Sequence, residues 1–463
     1  MRWYTTATCP TQPVMFVDDG LCGKPGGSLA CLHRSAILSP LPTNLERQQV
    51  LRASEVAVEV KGPAGFTALL VATELGSGFG GVSTFNRLGG AAMARRGSRV
   101  LCLLPKVLTG DWDLAARLGM EIVLPPDPIG SEGVAALYRR PRLPPGVVPD
   151  VIFGHGRPTG PAARGVHDHF PDARRVQVIH VAPEEIEPAK HRSGDAGTRA
   201  DSRMREEVEL AMGADTILIV GPRLYNRYIA EFDARDGPPV LRVDPGFDGV
   251  NRPVIQPPRG LLRVLVLGRM EDAPLKGVYE VAAALSQALE SLRGDAPMVE
   301  LVVRGAPRRS CDRLREEIQT HVRHAHLTVD VKPYSSSSES IEADLRKASL
   351  VMMASRSEGF GLVAVEAIAT GVPVLMTSRS GCAELLREAL DPVMAAPFVV
   401  DMTGNGPRDV DALAIKIAHV LQDRDQAFGR TILLRNALIR AGKTWSAAAA
   451  VMLDAAGFQQ PVG

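Results

Sequence analysis

From Phe66 onward the chain alternates between short, densely apolar runs and segments whose apolar residues recur every three or four positions. The runs "FTALLVATEL", "SRVLCLLP", "DVIFGHG", "RRVQVIHVA" and "DTILIVG" are bounded by turn residues and read as buried strands. Between them, Val82, Phe85, Leu88, Ala92 and Met93 fall on one helical stripe. Helices are also predicted near "MREEVELAMGA" and over "PRLYNRYIAEF". A Pro/Gly-rich passage, "VDPGFDGVNRPVIQPPRG", breaks the rhythm at residues 243–260. It then resumes with "LLRVLVLGRM", "GVYEVAAALSQALESL", "MVELVVRGAP", "RLREEIQTHVRHA", "LTVDVKPY", "LVMMASRS" and "VPVLMTS".

Strands alternating with helices at this spacing form βαβ units around a parallel sheet. Two such blocks predict an α/β chain of two Rossmann-like, doubly wound domains facing a cleft. The expected division is a flexible N-terminal extension over 1–63 and a first domain over 64–242. A linker over 243–260, a second domain over 261–450 and a tail over 451–463 complete it. Residues 1–63 are rich in Pro, Gly, Ser and Thr, with one short helix expected around "NLERQQVLRASEVA".

Composition narrows the function classes. The chain of 463 residues is 45% hydrophobic and 23% charged with a net charge of +1, which gives no basis for a nucleic-acid or anionic-membrane partner. No apolar run reaches the roughly eighteen residues needed to span a bilayer, and the N-terminus lacks a secretory apolar core. Cys9, Cys22, Cys31, Cys102, Cys311 and Cys382 form neither a CxxC pair nor a Cys/His finger. A cytoplasmic protein without a metal site or bound cofactor is expected.

Sheets of this kind bind ligands beyond the carboxyl ends of their strands, so the chemistry is sought there. "GSGFGG", Gly76 to Gly81, lies between a strand and a helix and satisfies GxGxxG. A dinucleotide site would call for an acid about twenty residues on, yet the next strand ends in Pro105 and Lys106. The turn still suits a phosphate, because free N–H groups and the positive helix end face it; a packing turn alone is the plainer alternative. In "LGRMEDAPLKG", Arg269 follows a strand and Lys276 precedes Gly277 and a helix, so two cations meet at the sheet mouth. Such a pair can neutralise a diphosphate and the charge it gains on leaving. In "SRSEGFGLVAVEAIATGVPVL", Glu358 sits in the turn after a strand and Glu366 in the early turns of a helix starting near Leu362. Ionised carboxylates accept hydrogen bonds only, which suits sugar and ribose hydroxyls; either acid alone could simply favour a helix end.

These segments resemble the family 4 glycosyltransferases, over residues 66 to about 450. "EGFGLVAVEAIATGVPVL" resembles that family's paired-glutamate signature with its trailing Gly-x-Pro-Val, and "LGRMEDAPLKG" its donor-phosphate segment. "GFGGVSTFNRL" resembles its N-terminal glycine loop and "VDPGFD" its interdomain segment, with Gly-Phe where Asn-Gly is usual. The resemblance implies a GT-B fold and a metal-independent, retaining transfer of a hexosyl group from a nucleotide sugar to an unknown acceptor. Glu366 would hold the ribose and Glu358 the donor sugar, with Gly359, Phe360, Gly361 and Leu362 offering contacts there. Arg269 and Lys276 would clamp the diphosphate, assisted by Gly80 and Gly81 across the cleft. "VQVIHVAPEEIEPAK" resembles the strand that ends in a histidine near the reacting sugar, which points to His180; a packed strand-end histidine is the alternative.

The resemblance thus implies a catalytic set of His180, Arg269, Lys276 and Glu358, and it places His155 and Arg157 where acceptors are expected. The residues between Arg269 and Lys276 are more numerous than in many relatives, and "GHGRPTGP" fits no pattern. "DWD" at Asp111 to Asp113 is expected to cap the helix "LAARLGM" and not to hold a metal. "HVRHAH" is expected at the solvated end of a charged helix, and "SSSS" at Ser335 to Ser338 as a loop. The rival readings are a non-catalytic nucleotide-sugar sensor and an NAD(P)-dependent oxidoreductase resting on "GSGFGG".

Overall fold

A computed structural model describes residues 65–76, 80–126, 133–190, 194–249, 254–292, 296–335 and 337–458. The expected extension over 1–63, its short helix, Cys9, Cys22, Cys31 and part of "GSGFGG" lie outside the described residues.

The first sheet contains β1 (Thr67–Val71), β2 (Arg99–Leu103), β3 (Met120–Val123), β4 (Val151–His155), β5 (Arg174–Ile179), β6 (Thr216–Val220) and β7 (Val240–Val243). Its order is β3-β2-β1-β4-β5-β6-β7, and every pairing is parallel. The second contains β8 (Leu262–Leu267), β9 (Val299–Ala306), β10 (Leu327–Pro333), β11 (Leu350–Met353), β12 (Val374–Thr377) and β13 (Val399–Val400). Its order is β10-β9-β8-β11-β12-β13, again parallel throughout. Helices cover both faces of such sheets, so the central strands read as apolar on consecutive residues. In β1 all five residues are buried, and β6 and β11 behave alike. The strands β3, β7 and β13 escape the sequence pattern because they are edge strands of two to four residues.

The helix Gly81–Arg95 does not present a single buried stripe: Ser83 through Met93 are all buried. It is enclosed between its own sheet, the helix Leu362–Thr370 of the second domain and the C-terminal helix Trp445–Ala455. That last helix crosses the expected boundary at residue 450 and packs on the first domain. A side chain at Gly89 would meet Met452 Sδ at 2.8 Å. Trp445 is 1% exposed, and its ring lies edge-on to Phe85 at 5.9 Å. Full burial of such a side chain contributes about 1.5–3 kcal/mol, so this contact fastens the chain end to the first sheet. No helix among the described residues is long and apolar enough to cross a membrane.

Candidate functional site

In each sheet the strand order reverses between two central strands, β1 and β4 in the first, β8 and β11 in the second. Loops leaving those carboxyl ends diverge and leave a crevice. The two crevices face each other, and the candidate residues from distant parts of the sequence gather there.

On the second sheet, the turn after β11 carries Ser355, Ser357 and Glu358 into the helix Leu362–Thr370. Lys276 Nζ donates to Glu358 Oε2 at 2.6 Å, and Ser355 Oγ donates to the same oxygen at 3.0 Å. The lysine and the acid, 82 positions apart, thus form one ion pair at the sheet mouth. Gly361, immediately before the helix, has φ of 99°, a left-handed value that a side chain would oppose. Glu366 lies one turn into this helix and is 8% exposed, and Thr84 Oγ1 of the first domain donates to its Oε1 at 3.3 Å. Arg269 is exposed at the end of β8 and forms part of the wall of a cavity shared with the first domain.

The turn at Glu358 to Gly361 is itself the seam between the domains. A side chain at Gly359 would meet the His180 carbonyl oxygen at 2.1 Å. Phe360, 4% exposed, has its ring against Gly221, where an added Cβ would meet it at 2.2 Å. Gly81 approaches the side chain of Leu362, an added Cβ lying 3.4 Å away, while Gly80 precedes the helix with φ of 88°. Polar contacts extend the seam. Ser357 Oγ donates to Glu185 Oε2 at 2.8 Å, and Arg223 bridges Glu185 at 2.8 Å and Glu384 at 2.7 Å. Burial pulls the Arg223 pKa down, but the hydrogen bonds it donates to both acids outweigh it and raise the value. Arg242 likewise joins Asp244 at 2.8 Å to Glu388 at 2.7 Å.

On the first sheet, His155 ends β4 and His180 follows β5. His155 is 1% exposed, while His180 is half-buried. Their rings are joined, His155 Nδ1 to His180 Nε2, at 2.9 Å, and His155 Nε2 reaches Asn86 Oδ1 at 2.8 Å. Burial pushes the His155 pKa down to about 3; burial and the neighbouring His155 hold His180 well below the ordinary imidazole range. Both rings are therefore neutral near pH 7. A cavity opens beside His155, lined by Thr73, Ser83, Asn86, His155, Thr159 and Arg269 together with apolar side chains.

Arg157, the other expected acceptor-side residue, is not in that wall. Its backbone N–H donates to Glu207 Oε1 at 3.2 Å, and its guanidinium pairs with Glu206 and Glu207. Glu207 is 1% exposed, and burial raises its pKa to about 7 despite the arginine. The segment "GHGRPTGP" is the end of β4 running into the helix Gly156–His167, whose first turn that carboxylate meets.

The expectation for "DWD" needs correction. The helix Asp111–Leu118 begins at the first aspartate after Gly110, and Asp111 Oδ2 accepts from Leu108 N–H at 2.8 Å outside the helix. "HVRHAH" follows the helix Cys311–Gln319, which ends before it, and does not form its last turn. Among the described residues no three His, Cys, Asp or Glu side chains are grouped to hold a metal ion. Thr84, Asn86, Ser355, Ser357, Glu185 and Arg223 were not among the expected site residues.

Residues 69–452 match the model of a family described as "Family 4 Glycosyltransferase in conflict systems". The chain is 26% identical over 293 residues to a glycogen synthase of Mycobacterium tuberculosis, covering 63% of this chain and 64% of that protein. It is 30% identical over 196 residues to a D-inositol 3-phosphate glycosyltransferase of Arthrobacter sp. (strain FB24), covering 40% of this chain and 45% of that one. The chain thus spans less than two thirds of the length of these curated relatives. A sucrose-phosphate synthase structure from Thermosynechococcus elongatus superposes with a TM-score of 0.55 at 19% identity, over 84% of this chain and 98% of that one. Anabaena HepE in complex with UDP and glucose gives 0.54 at 17% identity, with the same coverage. At these identities the likeness establishes the fold, the two-sheet GT-B arrangement.

Proposed function

Because the chain belongs to the family 4 glycosyltransferases of conflict systems, we propose that it moves a hexosyl group from a nucleoside-diphosphate sugar to an acceptor hydroxyl. The observation that carries this is the convergence, at one helix start, of Lys276, Glu358 and Glu366 from the second domain with Gly81 and Thr84 from the first.

The residues suit the parts of such a donor. Glu366, an acceptor-only group one turn inside the helix, takes the ribose hydroxyls. Arg269 and Lys276 neutralise the diphosphate and the charge that accumulates on it as the glycosidic bond breaks. The positive end of the helix Leu362–Thr370 adds to that field. Glu358 holds sugar hydroxyls, and its pairing with Lys276 keeps both groups in place before the donor arrives. His180 stands opposite, at the first-domain wall. No nucleophile from the protein is required; the departing phosphate takes the acceptor proton, and the product keeps the anomeric configuration of the donor. The closed seam at Gly359 and Phe360 excludes water, which strengthens each of these interactions and spares the donor from hydrolysis.

HepE is described in complex with UDP and glucose, so UDP-glucose is the first donor to try. The test is a thermal-shift and nucleotide-release screen against UDP-, ADP-, GDP- and TDP-sugars. Stabilisation by one donor, with release of its nucleoside diphosphate, is expected. A chain that neither binds nor consumes any of them does not have this function. Binding without release over a broad acceptor panel marks a sensor.

A further inference from the structure

The two histidines and Asn86 form a line of hydrogen bonds whose direction can be worked out from its ends. Asn86 is 1% exposed on the helix Gly81–Arg95, and its Nδ2 is turned to Cys102 Sγ at 3.9 Å. The Asn86 oxygen therefore points at His155 Nε2, 2.8 Å away. A neutral imidazole carries one N–H and one lone pair. To meet an amide oxygen, His155 must carry its hydrogen on Nε2, which leaves Nδ1 as a lone pair. His180 Nε2, at 2.9 Å from that lone pair, must then be the donor. His180 Nδ1 is left without a hydrogen.

The backbone N–H of His155 donates to Thr159 Oγ1 at 2.9 Å and fixes the strand end. Phe85 lies edge-on to both imidazoles, at 6.2 and 5.3 Å between centroids, and limits their rotation. The chain of bonds is thus held in place as well as in direction.

We propose that Asn86 and His155 are positioning residues that set the tautomer of His180, so that His180 presents Nδ1 to the cleft as a hydrogen-bond acceptor for a substrate hydroxyl. The hydrogen placement rests on the contacts among Asn86, His155 and His180 and on both rings being neutral; its use toward the sugar rests on the proposed transfer. The arrangement also gives specificity. A sugar lacking a hydroxyl at that position leaves the lone pair without a partner in a site that excludes water, and is disfavoured.

The test is a long-range ¹⁵N–¹H correlation spectrum of the full chain labelled with ¹⁵N-histidine, with signals assigned by their loss in His155→Gln and His180→Gln. Both rings are expected as Nε2–H tautomers in the unaltered protein. In Asn86→Leu the His180 signal is expected to move toward a mixture of tautomers. In the same variant, UDP release from UDP-glucose falls by about 2- to 10-fold, the worth of one substrate hydrogen bond to a neutral acceptor, while UDP affinity stays unchanged. A His180 hydrogen found on Nδ1 in the unaltered protein overturns the proposal. So does an Asn86→Leu spectrum identical to that of the parent. Failure of the transferase reading looks different: the Nε2–H tautomers are present, but the unaltered protein turns over no nucleotide sugar.

Discussion

Thr84 and Glu366 stand 282 positions apart, on helices of different sheets, yet the threonine hydroxyl donates to the glutamate Oε1 at 3.3 Å. The bond joins the two domains directly at the start of both helices. A carboxylate proposed for ribose is covered by the opposite domain and already spends one lone pair on it. A ribose seated there takes hydrogen-bonding capacity that Thr84 now uses, so nucleotide binding and domain closure share one residue.

Glu366→Ala is therefore expected to weaken UDP binding by about 1.5–3 kcal/mol, on the order of 10- to 100-fold, as a hydrogen bond to a charged group is lost. Thr84→Val removes a contact made to the protein and not to the ligand, so it should change affinity far less. Isothermal titration of both variants with UDP checks this. Equal affinity in Glu366→Ala and the parent removes Glu366 from the ribose role.

Gly359→Ala places a methyl carbon 2.1 Å from the His180 carbonyl oxygen, a backbone atom that cannot swing aside. The seam between the domains is the part free to yield, so the variant should remain folded but open. Small-angle scattering should show a larger radius of gyration, with an unchanged far-ultraviolet dichroism spectrum and lost turnover. A scattering curve that overlays on the parent's would contradict the claim that this approach sets the closure.

Arg223 joins Glu185 of its own domain to Glu384 of the other. A double-mutant cycle of Arg223→Gln and Glu384→Gln should give a coupling of about 0.5–1 kcal/mol, the upper range for a partly exposed pair. The coupling should shrink with added salt. A value near zero at low ionic strength would mean that the bridge does not hold the domains together.

Stability should fall as the solution is acidified below the ordinary histidine value. His155 is held down to about 3 by burial, whereas the unfolded chain protonates near 6.5, so in that window the unfolded state binds more protons. Stability is complete above the unfolded value and is lost as pH drops toward the folded one. Melting temperatures of the parent and of His155→Gln from pH 7 to 4.5 test the sign, with the parent expected to lose more. A smaller loss in the parent would mean that His155 is not kept neutral by the fold.

Much of the second-domain chemistry was legible because it is local in sequence. The left-handed φ at Gly361, the helix starting at Leu362 and the burial of Glu366 one turn later follow from a glycine ahead of an apolar helix. The alternation of strands and helices likewise fixed two parallel sheets, since only that arrangement buries both faces of such apolar strands. Edge strands such as β3 and β7 were missed because one side meets no neighbour and the pattern weakens.

The pairing of residues across the cleft was not legible, because sequence pattern carries no information about which loops meet. Arg157 reads as a site cation until the buried Glu207 claims it, and Asn86 reads as an ordinary helix residue until His155 is placed 2.8 Å away. The sequence by itself determined the two-sheet architecture and the glycine-and-acid turn at the start of the helix Leu362–Thr370, because these follow from local geometry and from burial. Only the tertiary structure decided that Thr84 covers Glu366, that Gly359 abuts His180 and that Asn86 orders two imidazoles. Those contacts depend on the packing of one domain on the other or of one strand end on a distant helix, where distance and direction, not residue type, select the partner.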